Sequence, residues 1–306
     1  MVAAMRLTGI ADEAGAHVDA QIAATKELGW NHIEARFVQV DGFDKGSIHE
    51  IPEEAFELAA SAFAEAGIEI CGVGSTIGNW AHSIEDPFDI TEGEVARCIQ
   101  RMDKLGSKIV RIMSYAILED GKENDLDDQL EGERFKRTRE IVKRFEDAGI
   151  TAVHENCMNY GGMSVAHALR LQEEIPSMKW VFDTGNPVFN PDRSKPRPYP
   201  RQDAWEFYQA VKEHIAHVHI KDGVWDDAEE ECTFTMPGEG EGDVSRILAD
   251  LKADGYTGFI SIEPHLAAVF HDVEEDDADP EAKAKAAYDS YVDYGRKLEA
   301  LIAGIS

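Results

Sequence analysis

Basic residues are scarce in this chain of 306: 30 lysines and arginines stand against 60 aspartates and glutamates, for a formal net charge of -30. Nucleic acid and anionic membrane surfaces are bound by clustered Lys and Arg, so neither is expected as a partner. Cysteine is sparse as well. Cys71, Cys98, Cys157 and Cys232 share no close spacing, which argues against a zinc knuckle and a disulfide framework. No apolar run approaches the ~18 residues of a membrane span. The start, Met1-Val-Ala-Ala-Met-Arg6, lacks the basic-then-apolar layout of a signal peptide, so a cytoplasmic location is the default expectation. No linker, low-complexity tract or break in composition divides the chain, and one domain over residues 1–306 is expected. Motifs of other chemistries are missing too. No Ser/His/Asp order or reactive-cysteine context stands out. Gly238-Glu-Gly-Glu-Gly242 departs from the G-x-G-x-x-G spacing, and its acids would repel a pyrophosphate.

What is present is enough apolar residue for a large core, 43%, laid out in two alternating periods. Short apolar runs predict strands at Met5–Ile10, Asn31–Arg36, Ile68–Ser75, Lys108–Ser114, Thr151–Asn156, Met178–Gly185, Ala216–Asp222 and Gly258–Pro264. Helical spacing follows each of them, over His17–Gly29, Pro52–Gly67, Thr91–Gly106, Glu131–Gly149, Ser164–Ile175, Asp203–Ile215, Val244–Gly255 and Asp279–Ile302. Eight strand-then-helix units in this length predict an α/β fold of the (β/α)8, or TIM barrel, type; a doubly wound open sheet would hold fewer strands. The long connections follow strands two, four, six, seven and eight. That is the face on which barrel enzymes build their active sites.

Four successive strand ends carry donor groups. Thr151-Ala-Val-His-Glu-Asn156 delivers Glu155, Trp180-Val-Phe-Asp-Thr-Gly-Asn186 delivers Asp183, Ala216-His-Val-His-Ile-Lys-Asp222 delivers His219, and Gly258-Phe-Ile-Ser-Ile-Glu-Pro-His265 delivers Glu263. Taken singly, each reads as a helix cap, a solvated charge or a core histidine. Repeated on neighbouring strands about 4.8 Å apart, three carboxylates and an imidazole compose one coordination shell. It suits Mn2+ first, then Mg2+ or Co2+, and a catalytic Zn2+ is also compatible. Arg36, Arg111 and Lys221 are expected either at substrate oxygens or in ion pairs with neighbouring carboxylates. His265 and Glu34 are further candidates, and His154 should face away because strand neighbours alternate.

The segments His217-Val-His-Ile-Lys-Asp222, Pro237-Gly-Glu-Gly-Glu-Gly-Asp243 before a helix, and Ile260-Ser-Ile-Glu-Pro264, together with Glu155 and Phe182-Asp-Thr-Gly185, resemble the sugar phosphate isomerase/epimerase family of xylose isomerase-like TIM barrels. The similarity runs from the first strand to the last, with its most specific motifs in the second half. It implies that Glu155, Asp183, His219 and Glu263 bind a divalent ion, and that Glu155 and Glu263 act as acid and base on opposite faces of a small ketose or related sugar. Two positions depart from the commonest pattern of the family. Asn186 stands where many relatives have His, and Glu155-Asn156-Cys157 stands where many have Glu-Asn-His. Both positions usually touch substrate; Asn186 can hydrogen-bond a hydroxyl but does not titrate near neutral pH.

The resemblance covers isomerases, epimerases, dehydratases and apurinic endonucleases, so three readings stand. One is a metal-dependent sugar isomerase or epimerase working through an enediolate. Another is a dehydratase of a keto-sugar or keto-inositol, and the third is a sugar-binding barrel without turnover. Acidic charge disfavours the endonuclease. The acidic stretches Asp120–Asp128, Asp226–Glu231 and Glu274–Asp279 favour a neutral sugar over a phosphorylated one. One basic segment, Arg193–Arg201, is stiffened by prolines and is expected to meet a carboxylate, a phosphate or a second subunit of a homo-oligomer.

Overall fold

The eight apolar runs pair side by side as parallel strands in the computed structural model, which describes residues 5–118, 129–266 and 280–305. They are β1 (Arg6–Gly9), β2 (His32–Ala35), β3 (Glu69–Gly74), β4 (Ile109–Ile112), β5 (Thr151–Glu155), β6 (Lys179–Asp183), β7 (Ile215–Ile220) and β8 (Phe259–Ile262). Their order in the sheet is β1-β8-β7-β6-β5-β4-β3-β2. The ring closes where Ile10 bridges Glu34 in parallel and Thr8 Oγ1 donates to the His32 carbonyl at 2.9 Å. β1 and β2 thus meet through this bridge and side-chain bond, without a continuous ladder between them. The predicted (β/α)8 barrel is therefore the observed fold.

The helices are α1 (Val18–Glu27), α2 (Glu53–Glu65), α3 (Phe88–Leu105), α4 (Glu131–Asp147), α5 (Val165–Glu174), α6 (Ala204–Val211), α7 (Val244–Ala253) and α8 (Pro280–Gly304). Local chemistry sets their ends. Ser164 accepts from the His167 amide at the start of α5, and Asp203 accepts from the Glu206 amide at the start of α6, each satisfying a donor that the first turn leaves free. Gly106 closes α3 in a left-handed conformation, φ 69. That helix begins at Phe88, one turn before the expected Thr91, because Pro87 already supplies its entry.

The connections after the strands hold structure that composition did not announce. Phe37–Val38 pairs with Gly46–Ser47 after β2, and Gly223–Asp226 pairs with Glu231–Phe234 after β7, both antiparallel. A four-residue helix, Asn186–Phe189, follows β6. The segment after β3 was not among the expected long connections, yet it brings Asn79 and Trp80 to the barrel mouth. Of the expected acidic stretches, Asp226–Glu231 turns the second hairpin; 120–128 and 274–279 lie outside the described residues.

The glycine-rich segment 238–242 has a defined job. It wraps the buried Asp222 carboxylate, which accepts from the amides of Gly223, Gly238, Gly240 and Gly242 at 3.0, 2.8, 3.0 and 2.9 Å. A Cβ on Gly240 would lie 2.4 Å from Asp222 Oδ1 and 2.5 Å from the Gly223 amide nitrogen, so the close approach requires glycine. Among the described residues, no helix is long and apolar enough to cross a membrane.

Candidate active site

Parallel pairing aligns the ends of β5 to β8 at one rim of the barrel. Asp183 is in register with His219 across β6 and β7, and Ile262, the residue before Glu263, with Ile220 across β8 and β7. Glu155, Asp183, His219 and Glu263 each offer one ligand atom there, all within 4.8 Å of one another, and all four are buried. His219 Nδ1 lies 3.8 Å from Glu155 Oε1 and 3.8 Å from Glu263 Oε2, too far for a hydrogen bond. That nitrogen is buried without a hydrogen-bond partner. Unsatisfied buried polar atoms cost about 1–3 kcal/mol each and call for an explanation. Asp183 Oδ1, by contrast, accepts from the Gly185 and Asn186 amides at 2.8 Å each, which fixes the carboxylate in place.

A second layer surrounds these four. Glu34 points inward from β2 and meets two imidazoles: His217 Nε2 at 2.7 Å and His219 Nε2 at 3.0 Å. Arg111 Nη1 donates to Glu155 at 3.0 Å. Lys221 Nζ sits 3.0 Å from Asp183 Oδ2 and 3.1 Å from Glu263 Oε2. Arg36 donates to Glu263 at 2.7 Å and also bridges Asp12 and Glu13 at 3.0 and 3.2 Å. Five carboxylates (Asp12, Glu13, Glu155, Asp183 and Glu263) thus share three buried side-chain cations, Arg36, Arg111 and Lys221, while Glu34 rests on the two imidazoles.

Burial and this charge excess set the protonation states. Burial pushes the Glu155 carboxyl up, but Arg111 and His219 outweigh it and hold the group at about 2. Glu263 is also held well below the usual range, its burial overcome by Lys221 and other cations. For Asp183 burial wins over Lys221, and the carboxyl rises to about 7. Burial would lower His219, yet Glu34 and Glu155 raise it to about 10, so the imidazole carries a proton in partial compensation for the acids.

Above this floor opens a cavity of about 370 Å3. Arg36, Arg111, Lys221, Asn186 and His265 all line it, with Glu155 and Glu263. The three cations are ion-paired with carboxylates and face the cavity at the same time. Asn186 donates Nδ2 to Glu155 Oε1 at 3.1 Å. His265 Nδ1 is 2.9 Å from Glu13 Oε1, and its backbone is left-handed, φ 54. His154 lies away from this cluster, against Ser114 Oγ at 3.0 Å and the Trp180 ring. The upper walls are apolar: Phe37, Trp80, Met113, Met158, Phe189 and Phe234. Asp12 and Glu13, which the sequence did not single out, come from the 3-10 turn Ala11–Glu13 beyond β1.

This arrangement fits a divalent cation on two counts. The oxygen-rich donor set matches hard-ion chemistry, and His219 Nδ1, buried without a hydrogen-bond partner between two carboxylates, is an atom such an ion would satisfy.

A family model described as "Xylose isomerase-like TIM barrel" matches residues 22–291. The chain belongs to that family. Among curated proteins to which it is similar, the inosose dehydratase of Lacticaseibacillus casei is 24% identical over 202 residues, 58% of this chain, and the match spans 64% of that protein. A xylose isomerase-like TIM barrel protein from Mycobacterium smegmatis, solved in complex with magnesium, superposes with a TM-score of 0.64 at 16% identity, covering 98% of each chain. A D-psicose 3-epimerase solved in the presence of D-fructose gives 0.61 at 15% identity, over 98% of this chain and 100% of that one. Identities this low show a shared fold alone. The proteins to which the chain is similar thus include an epimerase in fold and a dehydratase in sequence.

Proposed function

We propose that the protein is a divalent-cation-dependent isomerase or epimerase of a small ketose or related polyol ketone. The observation that carries this reading is the convergence of Glu155 and Glu263 on one buried point, each at 3.8 Å from the same imidazole nitrogen. Glu155, Asp183, His219 and Glu263 would hold the cation. When bound, it would polarise adjacent carbonyl and hydroxyl oxygens of the sugar and so acidify the C–H between them. Mn2+ is the preferred ion, and Mg2+, Co2+ and Zn2+ suit the same donors.

The chain's own groups then do the proton work. Glu155 and Glu263 are both held as carboxylates, so either can accept a proton from carbon. Delivering it to the neighbouring carbon isomerises the sugar. Epimerisation needs the other glutamate to deliver a proton from the opposite face, one that it first acquires from solvent, while the first glutamate retains the proton it abstracted. Arg36, Arg111, Lys221 and Asn186 present N–H groups to substrate oxygens, and the apolar upper walls keep bulk water from the enediolate. The surplus of carboxylates on the floor favours a neutral sugar over a phosphorylated one. His265 adds a further contact on the Glu263 side.

A second reading, a dehydratase, is favoured by the match to an inosose dehydratase. It begins with the same proton abstraction and continues with loss of a β-hydroxyl. Incubation of ketoses and keto-inositols with Mn2+ in D2O separates the two. Deuterium uptake without loss of water is the result expected for isomerisation; an enone chromophore would transfer the assignment to dehydration. Glu155→Gln and Glu263→Gln should each lower exchange at least a hundredfold, and unchanged exchange would remove their acid/base roles.

A further inference from the structure

A second hollow of about 280 Å3 adjoins the first, and Trp80 and Met158 line both. The chemistry of its walls differs. Ala116, Ile117, Met163 and Pro191 make it mainly apolar, with Asn190 and Arg193 as its polar edge. Exposed apolar side chains are ordinary on helix backs, where Leu58, Ile90 and Leu169 sit. Trp80 and Met158 are different: they come from the connections after β3 and β5, stand 45% and 47% exposed, and share the ridge between two hollows. A flat aromatic face beside a thioether is a surface on which the C–H face of a ring packs. A cavity of about 370 Å3 already accommodates one sugar unit over the carboxylates, so the adjoining space is in excess of that need.

We infer that the substrate carries a second, uncharged ring, and that this ring packs against Trp80 and Met158 in the side cavity, as in a two-ring keto-glycoside. The inference rests on the proposed sugar-ketone chemistry for its first ring and goes beyond it in naming the second. A phosphate in the same place is disfavoured, because the walls are mostly apolar and the neighbouring floor is rich in acid.

Calorimetric titration of the Mn2+-loaded protein with fructose, fructose 6-phosphate and the ketose disaccharides turanose, maltulose and isomaltulose tests this. At least one disaccharide should bind about tenfold or more tightly than fructose. That ratio should fall toward one in Ile117→Trp, which fills the side cavity, and in Trp80→Ala, whose exposed position tolerates truncation. Thermal melting of both variants identifies any loss through misfolding. A disaccharide affinity equal to or weaker than that of fructose, a preference for the phosphate, or no binding by any of the five sugars overturns the inference. Deuterium uptake in the same samples reads the proposed reaction separately. Uptake into fructose without disaccharide preference sinks the two-ring site alone, whereas a disaccharide preference without uptake sinks the reaction and leaves the site.

Discussion

Glu34 and His219 are 185 positions apart in sequence, yet the imidazole Nε2 lies 3.0 Å from each Glu34 oxygen. The carboxylate therefore takes the Nε2–H and leaves Nδ1 facing Glu155 and Glu263. Buried carboxylates behind a ligating histidine set its tautomer and raise its basicity, and their loss typically costs about 10–100-fold in metal affinity. Glu34→Gln should weaken Mn2+ binding by that factor without removing Asp183 or either ligating glutamate. Titration calorimetry measures it, and 15N shifts of the His219 ring should show its proton lost at lower pH than in wild type, because Glu34 is a main cause that raises it. An unchanged affinity with an unchanged titration would show that Glu34 serves packing only.

Cation binding should depend steeply on pH. His219 is raised to about 10, so at pH 8 the site holds a proton that an ion must displace. Affinity is then predicted to rise with pH, about tenfold per unit for one proton, between roughly pH 7 and 10. Below about 7 the Asp183 carboxyl also holds a proton, and the dependence steepens. Titrations at pH 8 in two buffers of different ionisation heat should show about one proton released per Mn2+ bound. No release would contradict the charged imidazole.

Arg36 is the guanidinium shared by Asp12, Glu13 and Glu263. Removing one member of a buried ion network leaves the others uncompensated, at a cost of about 3–5 kcal/mol. Arg36→Met should lower the urea midpoint accordingly, and Mn2+ should recover part of the loss by supplying positive charge next to Glu263. A stability within about 1 kcal/mol of wild type would mean that the three acids take up protons instead of relying on Arg36.

These groups also mark how far the sequence is legible. Strand-then-helix periodicity located all eight barrel strands, because buried parallel strands are written as short continuous apolar runs. The meeting of Glu155, Asp183, His219 and Glu263 at one rim was legible from the same fact, each falling where such a run stops. The pairing of Glu34 with His217 and His219 was not, since it depends on β2 facing β7 across a closed barrel. Asp12 and Glu13 sit in a 3-10 turn, Ala11–Glu13, with no apolar period to frame them. The ion-pair and cavity-lining readings of Arg36, Arg111 and Lys221 looked like alternatives in sequence. In the barrel mouth the carboxylates are themselves the cavity floor, so a cation beside them does both.

Asp222 ends the His217-to-Asp222 motif, and three amides of the glycine segment and that of Gly223 depend on its carboxylate. Asp222→Ala should destabilise the protein by about 2–3 kcal/mol through the amides left without an acceptor. Gly240→Ala should be of similar severity because of the contact at 2.4 Å. Thermal melts check both. If Asp222→Ala melts like wild type, the loop is held by other contacts.

The central claim is that one cation belongs at the convergence of Glu155, Asp183, His219 and Glu263. Anomalous diffraction from crystals of the Mn2+-loaded protein tests it directly. The account predicts a single strong peak ligated by those four side chains. A peak instead among Glu13, Glu263 and His265 or among Glu34, His217 and His219, the neighbouring clusters that could also hold an ion, or no peak at any of these places, would contradict it.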